Sequence, residues 1–367
     1  MGAICYFTEA LKYNKHDKIV WHKLGLSYND IKEYQKAIEC HKNEIKYSQD
    51  GTETSPLKNI AVNLISLGKY DEAKTYYFSA MELDSLDHEI YSGIGNAYVF
   101  QDTPESYKTA LGYYEKALEL NENLHVVWCN MGTIVFNQEN PDIELALKYY
   151  NKSLGIEPFF PEALLNRANY YLKKEQYDLA LEDINKSLSL NPRVEAWSIK
   201  IQICEATGNH QEAINAYKKT IAYYPESATI RSLIAYNYID LGNFDKAEDY
   251  IYQAKELDPE NASTRLELVE VLLISNKFDK AKNELEQIDT ITLTKAEEIL
   301  KLFSKYLLNI IEKQDNNDIR LSIETLLNEE HIDLNWSFKL IKNWIENYNS
   351  FSELEKENTL NLIDKLD

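Results

Sequence analysis

Seven histidines, four cysteines and 60 carboxylates are the side chains of this 367-residue chain best suited to chemistry. His16, His22, His41, His88, His125, His210 and His331 are scattered, and no HExxH zinc helix forms among them. There is no Gly-x-Ser-x-Gly elbow to expose a serine nucleophile, no phosphate-cradling glycine loop and no EF-hand loop. Cys5, Cys40, Cys129 and Cys204 make no CxxC pair, and their separations suit neither zinc nor a disulfide framework. They read as reduced thiols and predict a cytoplasmic protein. Asp and Glu fall on nearly every expected helix, so a pair of them carries no information. These residues predict a non-enzyme with no catalytic group, cofactor or metal.

The elements that position these groups are set by composition. The chain is 44% hydrophobic and 27% charged, which suits a folded rather than a disordered protein. With only 8 prolines and 11 glycines, little interrupts regular structure, and helices are favoured over turn-rich β-structure. The net charge of −21 repels phosphate backbones, and no cluster of Lys and Arg offsets it, so nucleic acid is excluded as a partner. The acidity fits a well-solvated surface, or a preference for basic or neutral partners. No apolar run approaches the ~20 residues of a membrane span, so no membrane insertion is expected. No basic stretch leads into an apolar one at the N-terminus, and Tyr6 stands where myristoylation wants Ser or Thr.

Aligning the chain on itself exposes a repeat. LGKYDEA at Leu67 to Ala73 and LGNFDKA at Leu241 to Ala247 share one register. Extended both ways, it gives eight repeats starting near Lys18, Thr54, His88, His125, Pro161, Val194, Ala228 and Ala262. Short insertions fall at residues 102–105 and 139–142. An alanine recurs at one phase of every repeat, the twentieth position at Ala37, Ala73, Ala180, Ala213, Ala247 and Ala281, and two or three residues later, past the insertions, at Ala146 and Ala110. Two helices crossing closely would require that small side chain. The eighth position is small at Gly25, Ala61, Gly95, Gly132, Ala168 and Ala235. A large wedge fills the fourth at Trp21, Leu57, Tyr91, Trp128, Leu164 and Trp197. Aromatics recur at the start of the second helix and again at Tyr77, Tyr114, Tyr150 and Tyr217, one turn into it. Pro158, Pro192, Pro225 and Pro259 mark the turn between repeats.

This spacing, close to 34 residues, resembles the tetratricopeptide-repeat family over roughly residues 3 to 288. The resemblance implies an all-α, right-handed α-solenoid superhelix. First helices would line a concave groove and second helices form the convex back. Departures from the family pattern stand at His41 and Glu44, which replace an aromatic and an alanine. Others are Arg167 and Lys200 at leucine positions, and Arg231 and Arg265 at the wedge. Looser packing, or a different bend of the superhelix, is expected of repeats seven and eight.

Transferring the family's groove positions gives Lys58 and Asn59 in the second repeat and Asn96 and Phe100 in the third. Asn130, Thr133, Phe136 and Asn137 follow from the fourth, and Asn166, Asn169 and Lys173 from the fifth. An asparagine amide both donates to and accepts from a peptide backbone, so a stack of them could grip an extended chain while aromatics supply side-chain pockets. The family's dicarboxylate clamp is incomplete, because Val62 follows Lys58 and Gly93 stands where asparagine is needed. Tight binding of chaperone acidic C-terminal tails is therefore not expected.

Residues 1–17 fall in the phase of a second helix, which suggests a piece of a longer chain or an atypical cap. Residues 18–289 hold the eight repeats, and residues 290–367 read as degenerate helical repeats forming a C-terminal cap. Helices are expected there over 294–312, 317–329, 335–348 and 352–366, with a docking surface around Trp336, Phe338, Ile341 and Trp344 as the alternative role. The functional expectation is a protein–protein interaction scaffold whose groove takes a peptide or partner helix. A substrate-recruiting segment of a larger enzyme and a self-assembling structural protein are the rival readings.

Overall fold

The computed structural model describes residues 2–48, 53–329, 334 and 336–366. His331 and Asn335 lie outside the described residues. Contacts divide the chain into two compact bodies, Met1–Asn191 and Pro192–Asp367. Among the described residues every regular element is an α-helix.

The N-terminal body contains α1 (Gly2–Tyr13), α2 (Lys18–Asp30), α3 (Tyr34–Tyr47), α4 (Thr54–Ser66), α5 (Tyr70–Leu83), α6 (His88–Val99), α7 (Pro104–Leu120), α8 (His125–Phe136), α9 (Ile143–Ile156), α10 (Pro161–Lys173) and α11 (Tyr177–Leu190). The C-terminal body contains α12 (Val194–Ala206), α13 (His210–Ile221), α14 (Ala228–Asp240), α15 (Phe244–Leu257), α16 (Ala262–Ile274), α17 (Phe278–Ile288), α18 (Lys295–Ile311), α19 (Asn317–Glu329), α20 (Lys339–Asn347) and α21 (Glu353–Leu366). Within each body the first helix of a repeat packs on the second, and the second on the first helix of the next repeat. This paired packing is that of a tetratricopeptide-repeat solenoid.

One backbone device ends most first helices. The fifteenth residue of the repeat is left-handed at Lys32, Gly68, Asp102, Glu175, Gly208, Gly242 and Asn276, with φ between 51° and 74°. At all of these but Asp102, the following N–H reaches back to a carbonyl five residues earlier, as in Lys69 to Leu64 (2.9 Å) and Asn243 to Tyr238 (2.8 Å). Side chains of Asp17, Asp87, Ser227 and Asn261 cap the opposite ends of first helices. In the third repeat, Pro104 and Glu105 are not an inserted loop. They form the first turn of α7, capped by Thr103.

The core follows the repeat register. All eight of these phased alanines are fully buried. Glycine at the eighth position makes room for a ring on the second helix. A Cβ at Gly95 would lie 2.5 Å from Tyr114, one at Gly132 2.5 Å from Tyr150, and one at Gly25 2.7 Å from His41. At the fourth position Trp21, Tyr91 and Trp128 each donate to the carbonyl six residues upstream, at 2.9–3.0 Å. Arg265 makes the same bond to Pro259 (2.7 Å), so its guanidinium substitutes for the aromatic wedge instead of loosening the eighth repeat. Val269, Val271 and Leu272 beside it are fully buried.

Beyond α17, the C-terminal segment folds back on the eighth repeat. Trp336 and Phe338 precede α20, which starts at Lys339 rather than at 335. With Ile341 they meet Leu266 and Leu273 of α16, at groove positions of that repeat. Phe338 stacks edge-on against Phe303 (5.6 Å), and Trp344 donates to Asn276 (3.2 Å). Phe338 and Ile341 are buried in this packing, while Trp336 and Trp344 stay partly exposed.

Candidate functional site

The N-terminal body holds a cleft of about 420 Å³ formed by α4, α6 and α8, floored by rings from α5 and α7. Asn96, Phe100, Asn130, Thr133 and Asn137 line it, together with Val62, Ile65, Val99 and Ile134. Tyr77, Tyr107 and Tyr114 complete the floor. In a chain carrying −21 charges, no residue lining this cleft is charged.

The asparagines are fixed rather than loose. Tyr114, fully buried, donates to Asn96 Oδ1 at 2.6 Å, and Asn130 Nδ2 donates to the same oxygen at 3.1 Å. Asn166 Nδ2 donates to Thr133 Oγ1 (2.9 Å), whose hydroxyl donates to the Cys129 carbonyl (3.0 Å). The sixth residue of one repeat thus bonds the ninth of the repeat before it. This ladder leaves the Nδ2 group of Asn96 and the Oδ1 atoms of Asn130 and Asn166 without a partner among the described residues. Asn137 is exposed, and its side chain makes no hydrogen bond among the described residues. Phe100 is 54% exposed and is held flat against Tyr70, with ring centroids 5.2 Å apart. The cleft therefore presents ordered donors, ordered acceptors and aromatic faces.

The remaining sequence candidates stand elsewhere. Lys58 is bound to Asp87 (2.6 Å) and Glu89 (2.5 Å) of the next repeat. Burial disfavours its charge, but those hydrogen bonds outweigh it and hold the ammonium above the ordinary lysine value. It is a link between repeats, not a free groove cation. Asn59 is half-buried, and its carbonyl accepts from Asn63 Nδ2. Lys173 lies over the Phe136 ring at 5.3 Å, outside the cleft lining, as is Asn169. Tyr107 and Tyr114 were missed because they sit on second helices. Their spacing from Asn96 follows only from the helix pairing.

No nucleophile emerges near the cleft. Burial pushes the Cys40 and Cys129 thiols up to about 12, which keeps them protonated. Arg167, at a leucine position, forks onto buried Asp183 at 2.6 and 2.9 Å and serves packing. Among the described residues, His22, His41 and Glu44 form the one group able to surround a metal ion.

Comparison with known proteins agrees with the repeat fold. Tetratricopeptide-repeat family models match residues 59–85, 161–193 and 206–255. Anaphase-promoting complex subunit 3 of Schizosaccharomyces pombe is 25% identical over 147 residues, 40% of this chain and 22% of that protein. BBSome complex member BBS4 of Bos taurus is 24% identical over 136 residues, covering 37% of this chain and 26% of that one. The chain thus spans about a quarter of the length of these curated relatives. Among solved structures, the APC/C hetero-tetramer Cut9–Hcn1 superposes with a TM-score of 0.51 at 16% identity, over 73% of this chain and 52% of that one, a likeness of fold. With family models matching three separate stretches and helices paired throughout each body, the chain carries tetratricopeptide repeats.

Proposed function

We propose that this protein is a non-enzymatic interaction scaffold, and that its cleft between α4 and α8 holds an extended segment of a partner protein. The observation that carries this reading is the uncharged cleft with its inter-repeat asparagine ladder. An extended backbone presents N–H and C=O groups that the free edges of Asn96, Asn130 and Asn137 can bond. Alternate side chains of such a segment point to one face, where Phe100, Tyr107 and the aliphatic floor would receive them. The family supports it, since tetratricopeptide repeats typically serve as protein–protein interaction modules. Two relatives are named as members of multi-protein complexes.

Charge sets the partner's chemistry. Without a lysine or arginine in the lining, and with Lys58 already paired, an acidic tail gains nothing in the cleft. The occupant is an apolar, neutral or mildly basic segment, bound at about −8 kcal/mol, or micromolar affinity. The test is selection of peptides from a random display library on the immobilised full chain. Enrichment of sequences with apolar residues at alternate positions and few acids is expected. No enrichment, or an acidic consensus, would sink the reading.

A further inference from the structure

We propose that His22, His41 and Glu44 form a binding site for a divalent transition-metal ion of the zinc class, with one coordination position open to solvent beside His22. The site lies in the first repeat, away from the peptide cleft, and is independent of it.

Two departures from the repeat pattern meet a histidine of the paired helix there. The second helix carries Tyr77 and Ala80 in the second repeat, and Tyr114 and Ala117 in the third. At the same two positions the first repeat has His41 and Glu44. The first helix contributes His22, one position before Lys23 and three before Gly25. Glu44 stands between the two imidazoles, with Oε1 2.9 Å from His22 Nδ1 and Oε2 2.7 Å from His41 Nδ1. One ligand atom from each residue lies within 4.8 Å of the other two. His41 is fully buried, the Glu44 side chain is 6% exposed, and the His22 side chain is 31% exposed. The neighbouring repeats show that an aromatic and an alanine fill this space at no polar cost.

In the hydrogen-bonded trio each Nδ1 carries a proton aimed at Glu44. His41 Nε2 is buried without a partner whether or not a metal is bound, so the metal reading rests on the convergence of three ligand atoms. A metal ion replaces both Nδ1 protons. Each neutral imidazole then carries its proton on Nε2, and the Glu44 carboxylate supplies the negative ligand. Zinc–nitrogen and zinc–oxygen bonds of about 2.0–2.2 Å place tetrahedral ligand atoms about 3.3 Å apart. The two observed contacts run to different oxygens of Glu44, so its carboxylate must turn to bring one oxygen to both nitrogens, within a group whose ligand atoms already lie within 4.8 Å of one another. Two nitrogens and one carboxylate oxygen select zinc, nickel, cobalt or copper over calcium or magnesium, which prefer all-oxygen shells. The partly exposed side of His22 leaves the fourth position for water or for a ligand from a partner.

The experiment titrates the chelator-treated full chain with Co²⁺, read by visible ligand-field absorption, and then with Zn²⁺ as competitor. The background is Cys5→Ser, which removes the exposed thiol. One Co²⁺ per chain, displaced by one Zn²⁺, is expected. His22→Gln and Glu44→Gln should each weaken binding at least about tenfold, as loss of a first ligand must exceed the 10–100-fold cost of losing its supporting partner. The double substitution His41→Tyr, Glu44→Ala restores the residues of the neighbouring repeats. It should keep the helical circular dichroism and abolish the cobalt spectrum. Absence of saturable binding, or binding unchanged by His22→Gln and Glu44→Gln, would overturn the proposal.

Discussion

Replacing Glu270 with glutamine should make the protein more stable at pH 8.5 and change little at pH 5. Glu270 lies on α16, 6% exposed, and accepts one hydrogen bond from Tyr236 (3.1 Å). Burial, with a further push from Glu267, raises its carboxyl from the ordinary 4.5 to about 8. Glu267 is itself raised by burial against a hydrogen bond from Ser232, and Asp240 and Lys339 line the same cleft. Because the folded pKa is raised, the folded chain keeps a proton that the unfolded chain releases above pH 4.5. Stability therefore falls as pH rises from 4.5 to 8 and levels off above that. At about 1.4 kcal/mol per unit the ceiling is about 5 kcal/mol, and relaxation and water entry reduce it to about 2–3 kcal/mol. Glutamine keeps the shape and the acceptor for Tyr236 and cannot ionise. Urea unfolding at pH 5 and 8.5, with hydrogen exchange of α16 amides resolving the C-terminal body, measures the difference. An advantage for Glu270→Gln that is the same at both pH values would refute the reasoning.

Three further outcomes follow from packing. Arg167→Ala should cost about 3–5 kcal/mol in urea unfolding, because it strands the buried Asp183 carboxylate. Ala180→Leu should overpack the crossing of α10 and α11 and cost about 1–3 kcal/mol, read as a lower melting temperature with the helical spectrum retained. Glu175 holds a left-handed φ of 57° where Gly208 and Gly242 stand in other repeats. Glu175→Gly should therefore raise stability by up to about 1 kcal/mol, while Gly208→Ala should lower it by a similar amount. Unchanged melting temperatures for both substitutions, or shifts in the reverse directions, would show that the turn does not need this conformation.

The helical class was legible because it rests on single-residue sterics repeated in phase. Ala37 through Ala281 sit where only a methyl group fits, and the rings at Tyr114 and Tyr150 meet glycines of the paired first helix. Side-chain partnering across repeats was not legible. Lys58 reads as a groove cation until Asp87 and Glu89, about thirty residues on, claim its charge. Asn96 and Asn130 read as two independent amides, and only the helix pairing shows that they share Tyr114. His22, His41 and Glu44 have no metal-like spacing in sequence, because the turn between α2 and α3 brings them together. Arg265 read as a defect in the wedge, although its guanidinium reaches the same carbonyl that tryptophan does. Periodicity fixes which positions face each other; which atoms then bond depends on side-chain length and charge, which the repeat leaves free.

The central claim is that the uncharged cleft binds an extended peptide through side chains not needed for the fold. Fluorescence anisotropy of a selected peptide on wild type, Phe100→Ala and Asn137→Ala tests it most directly, with Lys173→Ala as a control outside the cleft. Phe100 and Asn137 are exposed, so their loss should leave the helices intact. The account predicts micromolar binding to wild type and to Lys173→Ala, weakened about tenfold, or ~1.4 kcal/mol, by each cleft substitution. Equal affinity for all four proteins would contradict it and place the binding surface elsewhere on the chain.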